Sequence, residues 1–211
     1  YYGERLAEVI RCKTVSKKDG FEAAEFLKLR EVIKKLFPLM TEKAELKILG
    51  DDAYLYKIKG RDESRNVMVM SHHDVVDATG DWQEEPFAGV IRDGKLWGRG
   101  TVDTKTPLFA EFSAIEELLG EGFEFPVNTY LFSSHNEEYG GDGALLALDY
   151  FNENNIKFEW IMDEGGAIID PPMAGISKRC AMMAVHEKGR CTAQLTASSK
   201  PGHAGLELSL I

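Results

Sequence analysis

The chain has 211 residues and a formal net charge of −10, enough for one sizeable domain, or one domain and the start of another. So acidic a chain offers no cationic surface to phosphates, which excludes nucleic acid as a partner. No apolar run approaches the roughly 20 residues that cross a bilayer, which excludes a membrane span.

Taken in chain order, residues 4–12 and 22–37 carry helical spacing, with Leu6, Val9 and Ile10 in the first and Phe26, Leu29, Ile33 and Leu36 in the second. Pro38 ends the second run. Two short strands, 45–49 and 53–58, flank the turn signal Gly50-Asp51-Asp52. Residues 67–70 are continuously apolar, as in a strand buried on both faces. Residues 106–119 read as a helix, with Pro107 in its first turn and Gly120 closing it. A strand over 127–132, a helix over 144–151 and a third buried strand over 160–162 follow. Strands alternating with helices predict an α/β layer structure with a mixed or largely parallel sheet. Near Lys188 the texture changes to an alternating run over 190–197, which places a domain boundary there: 1–187 for the main domain, 188–211 for the start of a second.

The chemistry-bearing residues follow the buried strands. After 67–70 comes Ser71-His72-His73-Asp74; in extended chain His72 and Asp74 point one way and His73 the other. Gly98-Arg99-Gly100-Thr101-Val102-Asp103 precedes the Pro107 helix, Asn136-Glu137-Glu138 follows 127–132, and Asp163-Glu164-Gly165-Gly166 follows 160–162. Ligands of open α/β sheets bind outside the carboxyl ends of the strands. Each element alone has an ordinary explanation: a chance H-x-D, a solvated Glu-Glu turn, a helix cap at Asp103, a turn aspartate at Asp163. Together they crowd three carboxylates around one imidazole, a repulsion that cations relieve. Imidazole plus carboxylates without thiolate suits Zn²⁺ or a similar divalent ion in a catalytic site.

These residues resemble the M20 zinc metallopeptidases, a family of carboxypeptidases, dipeptidases and aminoacylases. The resemblance runs from about Leu6 to Gly205, on S-H-H-D-V-V, the D-W-x-x-x-P-F stretch at 81–87, D-G-K-L-W-G-R-G-T-V-D-T-K, N-E-E-Y-G-G and D-E-G-G. D-E-G-G and the E-K-G at 187–189 look most like the branch of Gly-X carboxypeptidases and N-acyl-amino-acid hydrolases. It implies a zinc-peptidase-like catalytic domain with a central mixed sheet between helices, plus the start of a small α+β lid or dimerisation domain. It also implies two Zn²⁺ per active site, with Co²⁺ or Mn²⁺ as substitutes. His72 and Asp163 would bind the first ion, Asp103 would bridge both, often with a cis peptide after it, and Glu138 would bind the second. Asp74 would orient His72, Glu137 would be the general base, and His203 of the lid would reach the substrate carbonyl across a homodimer. The implied reaction is hydrolysis of a peptide or N-acyl amide, of carboxypeptidase or dipeptidase type, by a metal-bridged water.

Departures from the family pattern are His73, where an apolar or small residue is usual, and the threonines flanking Lys105. The family also needs a further histidine far toward the C-terminus, for which His135 and His186 are poor substitutes, so a longer parent is expected. The alternatives are a deacylase acting on a non-peptide N-acyl substrate, and a catalytically incomplete fragment that only binds metal or partners. Cys12, Cys180 and Cys191, odd in number and without C-x-x-C spacing, read as a reducing, cytoplasmic setting. The first residue is Tyr1, which is compatible with a leader already removed.

Overall fold

A computed structural model of the chain describes residues 1–185, 189 and 193–196. The chain divides into two compact units, Tyr1–Gly165 and Gly166–Ile211.

The first unit opens with α1 (Tyr2–Ile10), the short hairpin β1 (Ser16–Lys17) and β2 (Gly20–Phe21), and α2 (Ala23–Leu36). Leu29 and Ile33 of α2 are buried, as their spacing predicts. Pro38 does stop α2, but it also begins α3 (Pro38–Lys43), where it occupies the first turn. A proline forces the residue before it out of the helical region, and Phe37 sits at φ −128°, ψ 60° between the two helices. At the first helical turn the missing proline N–H has no intrahelical role to lose.

β3 (Glu45–Leu49) and β4 (Ala53–Ile58) pair antiparallel. β5 (Asp62–His72) extends well beyond the apolar core expected at 67–70. Its polar first half bulges, with only Asp62 and Asn66 paired, opposite Val127 and Asn128, and it is anchored by a bidentate ion pair from Arg65 to Glu159, at 2.6 and 2.9 Å. A second hairpin, β6 (Val90–Arg92) and β7 (Lys95–Trp97), turns on Asp93-Gly94, both at positive φ. That dipeptide suits the tightest hairpin turn. Then follow α4 (Lys105–Gly120), β8 (Val127–Ser134), a single 3-10 turn (Glu137–Tyr139), α5 (Gly143–Glu153) and β9 (Ile161–Met162).

Five strands form one mixed sheet in the order β3-β4-β8-β5-β9. β8 is parallel to β5 and antiparallel to β4, and β9 is parallel to β5. All eight residues of β8 are buried. Alternation sends Tyr54, Tyr56, Ile58 and Leu131 to one face, where they meet Leu29, Ile33, Leu108 and Phe112 of α2 and α4. Ala53, Leu55, Tyr130 and Phe132 point to the other face, against Ala147 and Phe151 of α5. Each such ring or branched chain taken out of water stabilises the sheet by about 1.5–3 kcal/mol. Helices on both faces leave the carboxyl ends of the parallel strands as the open edge.

In the second unit, β10 (Ala167–Ile169) and β11 (Cys180–Met182) pair antiparallel. The boundary expected near Lys188 and most of the strand expected over 190–197 lie outside the described residues. Among the described residues no helix is long and apolar enough to cross a membrane.

Candidate metal centre

Three parallel strand ends and one helix start converge at the open edge. His72 is the last residue of β5, Asp163 follows β9, Glu137 and Glu138 follow β8, and Asp103 lies two residues before α4. The Asp103–Thr104 peptide bond is cis, as the family resemblance implied. Lys105 fixes the start of α4. Its side chain is fully buried, and its Nζ donates to the carbonyls of Cys12 at 2.5 Å and Val9 at 3.3 Å, past the negative end of α1. Burial brings the Lys105 ammonium down to about 8.

The Glu137-Glu138 turn is held by Asn136. Its Oδ1 accepts the N–H of Gly143 at 3.1 Å, and its Nδ2 donates to Asp142 at 3.0 Å. A Cβ at Gly141 would fall 2.2 Å from the Asn136 side chain, and Gly140 sits at φ 67°. The glycine run after the acidic pair is therefore needed by the turn itself.

His72 stands at the centre and is 1% exposed. Its Nδ1 lies 3.0 Å from the Asp74 carbonyl and 3.3 Å from Asp74 Oδ1, which leaves Nε2 facing the open edge. Around Nε2 stand Asp103 Oδ1 at 3.0 Å, Glu164 Oε1 at 3.3 Å and Glu137 Oε2 at 3.6 Å. Ligating atoms of His72, Asp103 and Glu138 lie within 4.8 Å of one another. Burial by itself would lower the imidazole's pKa, but hydrogen bonds to Asp74 and Glu164 outweigh it and push His72 up to about 11. Burial raises Glu137 and Glu138 above the usual carboxylate range, with Asp103 adding to both. A cluster that holds a proton this tightly and strains to keep its carboxylates charged is one that a divalent cation fits. The nitrogen and oxygen donors suit zinc, cobalt or manganese.

The expected site residues are thus not all placed alike. His72, Asp103 and Glu138 come together, with Glu137 beside them and Asp74 behind His72. Asp163 lies outside that group of three, and its Oδ1 accepts the N–H of Glu164 at 2.8 Å. It is Glu164 that reaches His72, also accepting the His72 N–H at 3.2 Å. Simple alternation along a strand points Glu164 away from Asp163, and only the turn after β9 brings it in. His203 lies outside the described residues.

His73, the departure from the family pattern, points into the core as alternation predicts. It is fully buried, stacks on Tyr54 at 4.2 Å, and its Nδ1 shares a hydrogen bond of 2.8 Å with the Ser133 hydroxyl. Asp52 lies 3.7 Å from its Nε2 and pairs with Arg30. Burial holds His73 far below the usual histidine range, so it is neutral and structural.

Residues 68–197 match peptidase family M20/M25/M40. The chain is 37% identical to a probable carboxypeptidase S-like protein of Dictyostelium discoideum, over 96% of this chain and 41% of that protein. It is 33% identical to the human N-fatty-acyl-amino acid synthase/hydrolase, over 95% of this chain and 41% of that protein. Among solved structures, an M20 family metallo-carboxypeptidase from Sulfolobus solfataricus superposes with a TM-score of 0.64 at 26% identity, over 81% of this chain and 38% of that one. The chain spans about two fifths of the length of these curated relatives.

Proposed function

The chain belongs to peptidase family M20/M25/M40, and from that premise we propose that the protein it comes from is a metal-dependent hydrolase of peptide or N-acyl amide bonds. The observation that carries the reading is the gathering of His72, Asp103 and Glu138 with the Glu137 carboxylate 3.6 Å from His72 Nε2. His72, Asp103, Glu138 and Asp163 are the proposed holders of two zinc ions, and Glu164 stands close enough to His72 to join them. Divalent ions bound there acidify water and polarise a carbonyl.

The chain's own residues supply the rest. Asp74 keeps the His72 Nδ1 proton and so leaves Nε2 free as a donor atom. Glu137 takes the proton of the attacking water and returns it to the leaving amine. Glu137 is assigned this role because Glu138 is tied down by the Val76 N–H at 3.2 Å and belongs to the close group with Asp103. His203 is proposed to meet the substrate carbonyl across a lid-mediated homodimer, in a cytoplasmic protein.

The names of the relatives favour an acyl group joined to an amino acid with a free carboxylate. The test is amine release from Gly-X dipeptides and N-acyl amino acids by the full-length protein, stripped with a chelator and reloaded with Zn²⁺, Co²⁺ or Mn²⁺. Activity lost on stripping and restored on reloading is expected. No amine release with any of the three metals would overturn the proposal.

A further inference from the structure

The Asp74 carboxylate is wholly buried and receives donors from three places in the chain. Oδ1 accepts the Glu137 N–H at 3.2 Å and lies 3.3 Å from His72 Nδ1. Oδ2 accepts the Glu138 N–H at 3.2 Å and the Ser16 hydroxyl at 2.5 Å. A carboxylate has about four lone-pair sites, so every one is used. Asp74 therefore joins the imidazole to the backbone of the acidic pair, and Ser16 is the one side-chain hydroxyl among these donors.

Ser16 is itself held in place. Val15 and Val75 form a parallel bridge, with Val75 N–H donating to Thr14 at 2.9 Å and Ser16 N–H to Val75 at 3.2 Å. The Thr14 hydroxyl donates to the His73 carbonyl at 2.5 Å, and the Tyr139 hydroxyl donates to the Lys17 carbonyl. Residues 14–17 thus clasp both the segment that follows His72 and the turn that carries Glu137 and Glu138.

We propose that Ser16 is a positioning residue for the hydrolytic centre, acting through Asp74 on His72 and on the Glu137-Glu138 turn. The proposal rests on the functional reading above. Without the hydroxyl, Oδ2 keeps only the Glu138 N–H, and the carboxylate is held in its orientation toward His72 by one donor fewer. Groups that orient metal-binding histidines from behind typically change metal affinity or activity by about 10–100-fold when removed.

The experiment compares Ser16→Ala, Ser16→Thr and Thr41→Val in the full-length protein, by Co²⁺ titration followed by visible absorption, by Tm, and by kcat and KM. Ser16→Ala should weaken Co²⁺ binding and lower kcat, each by about 10–100-fold, and alter the cobalt spectrum with little change in KM. Ser16→Thr, which keeps the hydroxyl, should restore both. Thr41→Val, on α3 and outside this clasp, removes a bond to the Phe37 carbonyl and should lower Tm while leaving Co²⁺ affinity intact. Ser16→Cys, similar in size but a poorer donor, gives the same reading if Ser16→Ala does not fold. The proposal is overturned if Ser16→Ala, or Ser16→Cys in its place, binds Co²⁺ and turns over as the parent does. It is equally overturned if Thr41→Val loses Co²⁺ affinity in step with Ser16→Ala. Failure of the unsubstituted protein to bind Co²⁺ or release amine would instead count against the functional reading.

Discussion

Asp74→Asn removes one charge and no volume, and its effect follows from the four approaches to the carboxylate. An asparagine offers a single acceptor oxygen. Placed at Oδ1, it keeps the Glu137 N–H and His72 but turns an NH₂ on the Ser16 hydroxyl and the Glu138 N–H. Placed at Oδ2, it keeps those two and sets its NH₂ against the Glu137 N–H and His72 Nδ1. Either way a buried donor faces a donor, and at least one hydrogen bond to a charged acceptor is gone. Losing such a bond, worth about 1.5–3 kcal/mol, and stranding a buried donor, worth about 1–3 kcal/mol, together destabilise the metal-free protein by about 3–5 kcal/mol. Urea unfolding of the metal-free full-length protein measures this, and zinc titration should show an accompanying loss of affinity of about 10–100-fold. Stability of the Asp74→Asn variant within about 0.5 kcal/mol of the parent, the range of ordinary surface changes, would refute the hub described for Asp74.

The paired variants Glu137→Gln and Glu138→Gln should separate chemistry from binding. The first should lower kcat by about 10²–10⁴-fold with zinc content and KM little changed, and the second should lose zinc; the reverse pattern in metal analysis would swap the two roles. Glu111 accepts the Ser71 hydroxyl at 2.9 Å, and burial, with Glu164 and Asp163 adding to it, pushes its carboxyl up to about 7. A carboxyl raised on folding contributes stability that is fully present below its unfolded value of about 4.3 and is lost as pH rises through 7; at about 1.4 kcal/mol per unit, the loss is up to about 4 kcal/mol. Glu111→Gln should therefore flatten the fall in metal-free stability between pH 4.5 and 7 and be more stable than the parent at pH 8, and an unchanged pH profile of unfolding would contradict this.

Local pattern determined much of this protein. The apolar run before His72, the helical spacing of Phe26, Leu29 and Ile33, and the placing of His and carboxylates after strands are all properties of neighbouring residues. Period 2 and period 3.6 make such properties readable. Alternation alone sent His73 into the core and His72 with Asp74 to the edge. The hairpin at Asp93-Gly94 was also written locally, in a dipeptide that tolerates positive φ. The short helix after Pro38 was hidden because proline both ends one helix and starts the next.

Only the tertiary structure decided which distant groups meet. The polar half of β5 reads as loop until β8 and Glu159 are beside it. Ser16 and Asp74 are 58 residues apart, and nothing in the spacing of either announces the other. Glu164 lies next to the aspartate that the motif singles out, yet the turn after β9 carries its longer side chain to His72. Backbone periodicity is a short-range property of the chain, whereas a hydrogen bond between side chains depends on ångström-scale placement of elements by the whole core. The kind of site was therefore legible in the residues, and the identity of the groups that orient it was settled by packing.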